Sequence, residues 1–193
     1  MGAKQELPVV SFASGAAWEA WLTEHHAASA GVWLKIAKKG ARIESVSYAD
    51  ALDAALCHGW IDGQKAGLDD AFWLQRFTPR RPKSIWSRIN RDKALELIAR
   101  GAMQPAGLRE VERAKADGRW DAAYEPQSTM AVPDDLQAAL EGNEAARAFF
   151  ATLDSANRYA ILHRIHTAKT PETRARRIAQ YVTMLAEGKK LHP

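Results

Sequence analysis

Apolar residues follow two rhythms along this chain, and the change falls near residue 90. In the first part, helical and strand spacings take turns. Trp18, Trp21 and Leu22 stand at i, i+3 and i+4 behind Ser14, which can cap, and this predicts a helix to about Ala28, broken by Gly31. VWLKIAKKG then alternates as a half-buried strand does, with Val32, Leu34 and Ile36 on one face and Trp33, Lys35 and Ala37 on the other. Tyr48, Leu52, Ala55 and Leu56 restore a helical stripe behind Ser47, with Gly59 where a C′ residue would sit. WIDGQKAG and FWLQRF read as two strands joined by GLDD, and so short a connection favours antiparallel pairing. The expected fold class is α+β: a small antiparallel three-stranded sheet with flanking helices in the N-terminal half and a helical C-terminal half.

From Asn90 onward the pattern is helical. Asn90 can cap RDKALELIARG, and Pro105 suits the first position of AGLREVERAKADG. RWDAAYEPQSTMAVP has turn chemistry and no sustained period. It predicts a linker at 119–133, between an α+β domain at 1–118 and a helical region at 134–193. In that region DDLQAALEG, NEAARAFFATL, DSANRYAILHRIHTA and TPETRARRIAQYVTMLAEG each open on Asp, Asn or Thr. Arg174, Arg176 and Arg177 lie near the start of the last helix, where the helix dipole disfavours cations. Charge placed against local preference hints at use.

Composition narrows the class. A chain of 193 residues can bury about two-thirds of its unfolded surface, so it needs neither disulfide nor metal to fold. Cys57 is the single cysteine, which is compatible with the cytoplasmic location expected here. No leader peptide is expected from MGAKQELPVVSFASGAAWEAW, which lacks a charged segment followed by a long apolar one; MGAKQE lacks the myristoylation pattern, and no run approaches the ~18 apolar residues of a membrane span. Net charge is +4 but unevenly spread. Seven Lys/Arg stand against Asp92 in 76–93, and eight against Glu172 and Glu187 in 158–190, a net +6 in each. The remainder is acidic, so the field is oriented and favours an anionic partner if the two segments meet.

Three stretches, ALDAALCHGWIDG, RFTPRRPKSIWSRIN and AKTPETRARRIAQYVTMLAEGKK, together resemble the YdeI/OmpD-associated family of bacterial proteins, also labelled bacteriocin-protection proteins. The resemblance runs from about residue 15 to the end. It implies association with stress and bacteriocin resistance, and it supplies no catalytic residues. The resemblance implies Cys-Phe-Gly as the common form at Cys57-His58-Gly59, so His58 is a poor candidate for a family-wide role.

RFTPRRPKSIWSRIN is the first candidate site. Pro79 and Pro82 fix two φ angles and keep Thr78 and Arg81 out of helix, so the strand has a rigid exit. Arg76, Arg80, Arg81, Lys83 and Arg88 are expected to be displayed there, with Trp86 beside them and Ser84 able to cap a helix whose free N–H groups suit an anion. Arg offers phosphate or carboxylate a bidentate fork. Nucleic acid and a small anionic ligand are the partners considered, with Arg174 and Arg177 as further contacts and Trp73 and Trp86 as stacking surfaces. The competing reading is a solvated loop whose cations pair with Asp62, Asp69 and Asp70. Asp62 can orient a ligand or hold a turn, while Trp60 reads as core.

Catalytic chemistry is not visible. Cys57 and His58 are consecutive on a helix and do not face one another. His163 and His166 lack a carboxylate or thiol to complete a metal site, and no nucleotide fingerprint occurs. No catalytic residue, metal or cofactor is assigned. A non-enzymatic binding protein is the first reading. An enzyme with a pocket around Asp62, Arg80, Arg81 and Trp86 is the second, and a protein-interaction module the third.

Overall fold

The computed structural model describes residues 6–126 and 129–193. The readings made on MGAKQE and on the middle of the expected linker fall partly outside those residues. The chain divides into two compact units, Met1–Ala123 and Tyr124–Pro193.

The first unit is α+β, and its sheet has four strands rather than three. Strands β1 (Val9–Ser11), β2 (Val32–Ala37), β3 (Trp60–Gly67) and β4 (Phe72–Pro79) lie in the order β1-β2-β4-β3. β4 runs antiparallel to both β2 and β3, as the short connection predicts, but β1 pairs parallel to β2. The sheet is therefore mixed. The missing strand is three residues long, too short to show a period, and its pairing partner is supplied across α1 (Gly15–His25).

Alternation along β2 decides which side of the sheet is core. Val32, Leu34 and Ile36 are buried and lie opposite Phe77, Gln75 and Trp73 of β4. Trp18 and Leu22 of α1 and Leu52, Ala55 and Leu56 of α2 (Tyr48–Cys57) complete this core with Trp60. Buried Gln75 would be costly there, but its Nε2 donates to the Gly63 carbonyl at 2.9 Å, where β3 bulges between Asp62 and Lys65. α2 ends as its sequence predicts: Gly59 takes φ +74° and donates to the Leu56 carbonyl.

Two cap assignments need correction. α3 (Arg88–Ala99) is capped by Ser87, whose Oγ accepts from the Asn90 N–H, so neither Ser84 nor Asn90 is the cap. Helix α4 (Pro105–Ala116) begins on Pro105 as expected. Trp120 and Ala123, read as linker, are buried in the core of this unit.

The second unit holds α5 (Asp134–Glu141), α6 (Glu144–Ala151), α7 (Ser155–His166) and α8 (Pro171–Ala186). Asn143, Asp154 and Thr170 cap the last three through side-chain oxygens. Leu136, Leu140, Phe150, Ile161, Ile165, Tyr181 and Leu185 form their shared core. Among the described residues no helix is long and apolar enough to cross a membrane.

Candidate anion-binding site

The exit of β4 is built by cations that point inward. Arg80 is only 6% exposed, contrary to the expectation of a displayed side chain. Its backbone N–H closes onto the Gly59 carbonyl, and its guanidinium lies 3.5 Å from the Trp86 ring centre. Its Nη1 donates to the Ile85 carbonyl. Trp86, expected beside the ligand, is 2% exposed and meets Trp120 edge-on, with ring centres 4.9 Å apart. An Arg stacked on a desolvated indole is a packing element with a fixed plane. The stack leaves Trp86 Nε1 and Arg119 Nη2 buried without hydrogen-bond partners among the described residues.

A second Arg, unflagged by the sequence reading, holds the loop from below. Arg119 Nη1 donates to the Ser84 carbonyl at 2.6 Å, while its Nε is held by the Asp117 carboxylate at 2.8 Å. Ser84 closes a tight turn on Arg81, its Oγ accepting from the Arg81 N–H and its own N–H donating to the Arg81 carbonyl. The spacing of Arg119 from the loop, 35 residues, is why no local pattern could announce it. Arg81 and Lys83 stay exposed on this held turn. Among the described residues neither lies within ion-pair distance of a carboxylate. Arg88 is exposed at the first position of α3, and Ile85 and Ile89 beside it are 42% and 50% exposed. Arg76 sits apart, half-buried on the side of β4 away from the core, with its stem over Gly63.

Asp62 pairs with none of the cations of the stretch. It accepts from Tyr48 Oη at 2.8 Å and from the Asn90 amide at 3.2 Å, tying β3 to the starts of α2 and α3. Burial, then the Asp62 charge and hydrogen bond, push the Tyr48 phenol above its ordinary range. Asp69 holds its own turn, accepting from the N–H groups of Ala71 and Phe72. Trp73, half-buried on the core side of the sheet, is covered by the Lys65 ammonium at 4.3 Å.

Arg174 and Arg177 serve the second unit. Arg174 makes a two-pronged bridge to Asp135 on α5, at 2.6 and 2.8 Å, and donates to the Ile165 carbonyl. Arg177 donates to the Arg164 carbonyl. Those carbonyls belong to the C-terminal turn of α7, so the cations that oppose the dipole of their own helix complement that of a neighbour. The Asp135 carboxyl is held below the usual carboxylate range by the Arg174 hydrogen bonds. A groove of about 600 Å³, lined by Ala139, Ala175, Ile178 and Val182, runs between α5 and α8.

Nucleophilic chemistry at Cys57 has no support in the geometry. The thiol lines a cavity of about 400 Å³ with Glu19, Asp53 and Arg100. Burial, reinforced by Glu19 and Asp53, pushes it up to about 11, so it is protonated at neutral pH. His58 is buried, its Nδ1–H donating to the Ala54 carbonyl at 2.9 Å. His163 packs on Tyr124 and Tyr159, and no group of three metal-ligating side chains occurs among the described residues.

Comparison with known proteins gives two family matches. No curated protein and no solved structure matches the chain. Residues 10–110 match a domain of unknown function (DUF8412), and residues 129–188 match the family described as bacteriocin-protection, YdeI or OmpD-associated. The second match covers the TPETRARRIAQY segment, whereas GWIDG and RFTPRRPKSIWS lie within the first, so the resemblance drawn from all three stretches is narrower in extent than expected. The chain thus belongs to the DUF8412 family, and its residues 129–188 form a bacteriocin-protection, YdeI or OmpD-associated domain.

Proposed function

We propose that this is a non-enzymatic, bacteriocin-protection-associated protein of the bacterial cytoplasm that binds an anionic partner at the exit of β4. One observation carries the reading. Buried cations, Arg80 on Trp86 and Arg119 on the Ser84 carbonyl, fix a turn whose tip presents Arg81 and Lys83 to solvent without carboxylate neighbours among the described residues. A turn held this way loses little further entropy when its cations engage phosphate or carboxylate groups. Arg76 and Arg88 extend the positive field along the chain on either side.

The test uses labelled inorganic polyphosphate, whose charge is free of base chemistry, with fluorescence anisotropy at 50 and 200 mM salt. Binding is expected to weaken steeply with salt, and the Arg81→Ala/Lys83→Ala variant to bind about ten-fold less tightly at low salt with a shallower slope. Absence of binding at low salt, or binding indifferent to the double substitution, refutes the reading.

A further inference from the structure

The side of the sheet turned away from α1 and α2 carries a different composition from the core side. The ladder places Trp33 opposite Arg76, Lys35 opposite Leu74, and Ala37 opposite Phe72. All six are half-buried, and none belongs to the core. Each ring thus has a cation at hand: the Lys35 ammonium caps Phe72 at 3.8 Å, and Arg76 is the cross-strand neighbour of Trp33. Neither cation lies within ion-pair distance of a carboxylate among the described residues, and the strand positions of this face bear no Asp or Glu.

We infer that this face is a platform for single-stranded nucleic acid. The inference rests on the anion-binding reading above and names the class of partner. Four ladder steps at ~3.4 Å each set the two rings roughly 14 Å apart along the strands, far enough for each to take its own base. Stacking on a ring is indifferent to sequence, because every base has a π-face, while the ammonium and guanidinium beside the rings meet the phosphates. A base arriving on Phe72 displaces Lys35 from the ring and frees its charge for the backbone. An acidic face would repel such a strand, and a face meant for a second protein would be expected to lack a lysine such as Lys35 among its rings. Along the chain the positive run continues past β4, with Arg81 and Lys83 two and four residues beyond the last strand position.

Labelled oligo-dT and oligo-U are titrated against the full chain, alongside a duplex of equal length and labelled polyphosphate. Wild type is expected to prefer the single strands. Trp33→Ala and Phe72→Ala are each expected to weaken single-strand binding five-fold or more, leaving polyphosphate affinity within two-fold. Trp33→Phe, which keeps a ring on the same position, should restore most of the loss and separates stacking from damage to the fold. Polyphosphate bound through Arg81 and Lys83, with oligonucleotides bound equally by wild type and both alanine variants, overturns the platform and leaves the anion-binding reading standing. Loss of a self-associated species on Trp33→Ala, with no oligonucleotide binding at any salt, overturns it in favour of a copy-to-copy surface. Failure of polyphosphate and oligonucleotides alike overturns both.

Discussion

Gly107→Ala sets two physical effects against each other at one atom. In an isolated helix, Ala replaces Gly with a gain of up to ~1 kcal/mol. Gly107 stands in the first turn of α4, where that turn crosses the end of α2. A Cβ built there meets the Cys57 carbonyl oxygen at 2.4 Å, the Leu56 carbonyl oxygen at 2.6 Å and Met103 Cε at 2.8 Å. The methionine can swing aside; the two carbonyls cannot, because they belong to the backbone of α2. Reaching even 3.0 Å from Cys57 requires α4 to withdraw by roughly 0.6 Å, and a close-packed interior passes that strain on. The same movement pulls on the bond from the Gln104 N–H to the Cys57 carbonyl, which is already 3.2 Å long. Overpacking costs about 1–3 kcal/mol and a weakened backbone bond about 1. Set against the propensity gain, the net expectation is a loss of about 2 kcal/mol. For a chain of this length that lowers Tm by about 4–8 °C. Thermal unfolding followed by far-ultraviolet circular dichroism, which reports the helices of both units, reads the midpoint. Gly142→Ala is the control, since Gly142 has an ordinary αR backbone and nothing nearer than 3.6 Å to its built Cβ. It should be neutral or gain up to ~1 kcal/mol. A Gly107→Ala variant as stable as wild type, or more so, would mean that the α2–α4 crossing is looser than described.

Other expectations follow from the polar network and the second unit. Asp62→Ala strands the buried Asn90 amide, at a cost of about 1–3 kcal/mol in urea unfolding, and by removing the bond from the Tyr48 hydroxyl it brings that phenol back toward its ordinary titration range in ultraviolet absorbance. An unchanged midpoint and an unmoved phenol would show that Asp62 does not tie the three elements together. Asp135 has a depressed pKa when folded, so its contribution is present above the unfolded carboxyl value of about 3.9 and fades as pH falls through the folded one. Wild type should therefore lose stability on acidification more steeply than Asp135→Asn; parallel pH profiles for the two would contradict the Arg174 bridge.

Most of the elements were legible in the chain because their causes are local. Ser14, Ser47, Asp154 and Thr170 cap where their hydroxyl or carboxylate can reach an N–H three residues on, and β2 alternates because one of its faces is buried. Bounds slipped where two local answers compete. Ser84, Ser87 and Asn90 can all cap, and only Ser87 has its oxygen on the Asn90 N–H once the loop before it is folded. What tertiary structure alone decided is the destination of each charge. A run of cations reads the same whether a member is stacked in the core, like Arg80, bridging two helices, like Arg174, or left in solvent, like Arg81. Those outcomes depend on partners 6 to 39 residues away, Trp86 and Asp135, and electrostatic and stacking energies act through space rather than along sequence. The aromatic and cationic face of the sheet has the same origin. Its alternation was present in VWLKIA, but the match of Trp33 with Arg76 and of Lys35 with Phe72 exists only in the register that β2 and β4 adopt together.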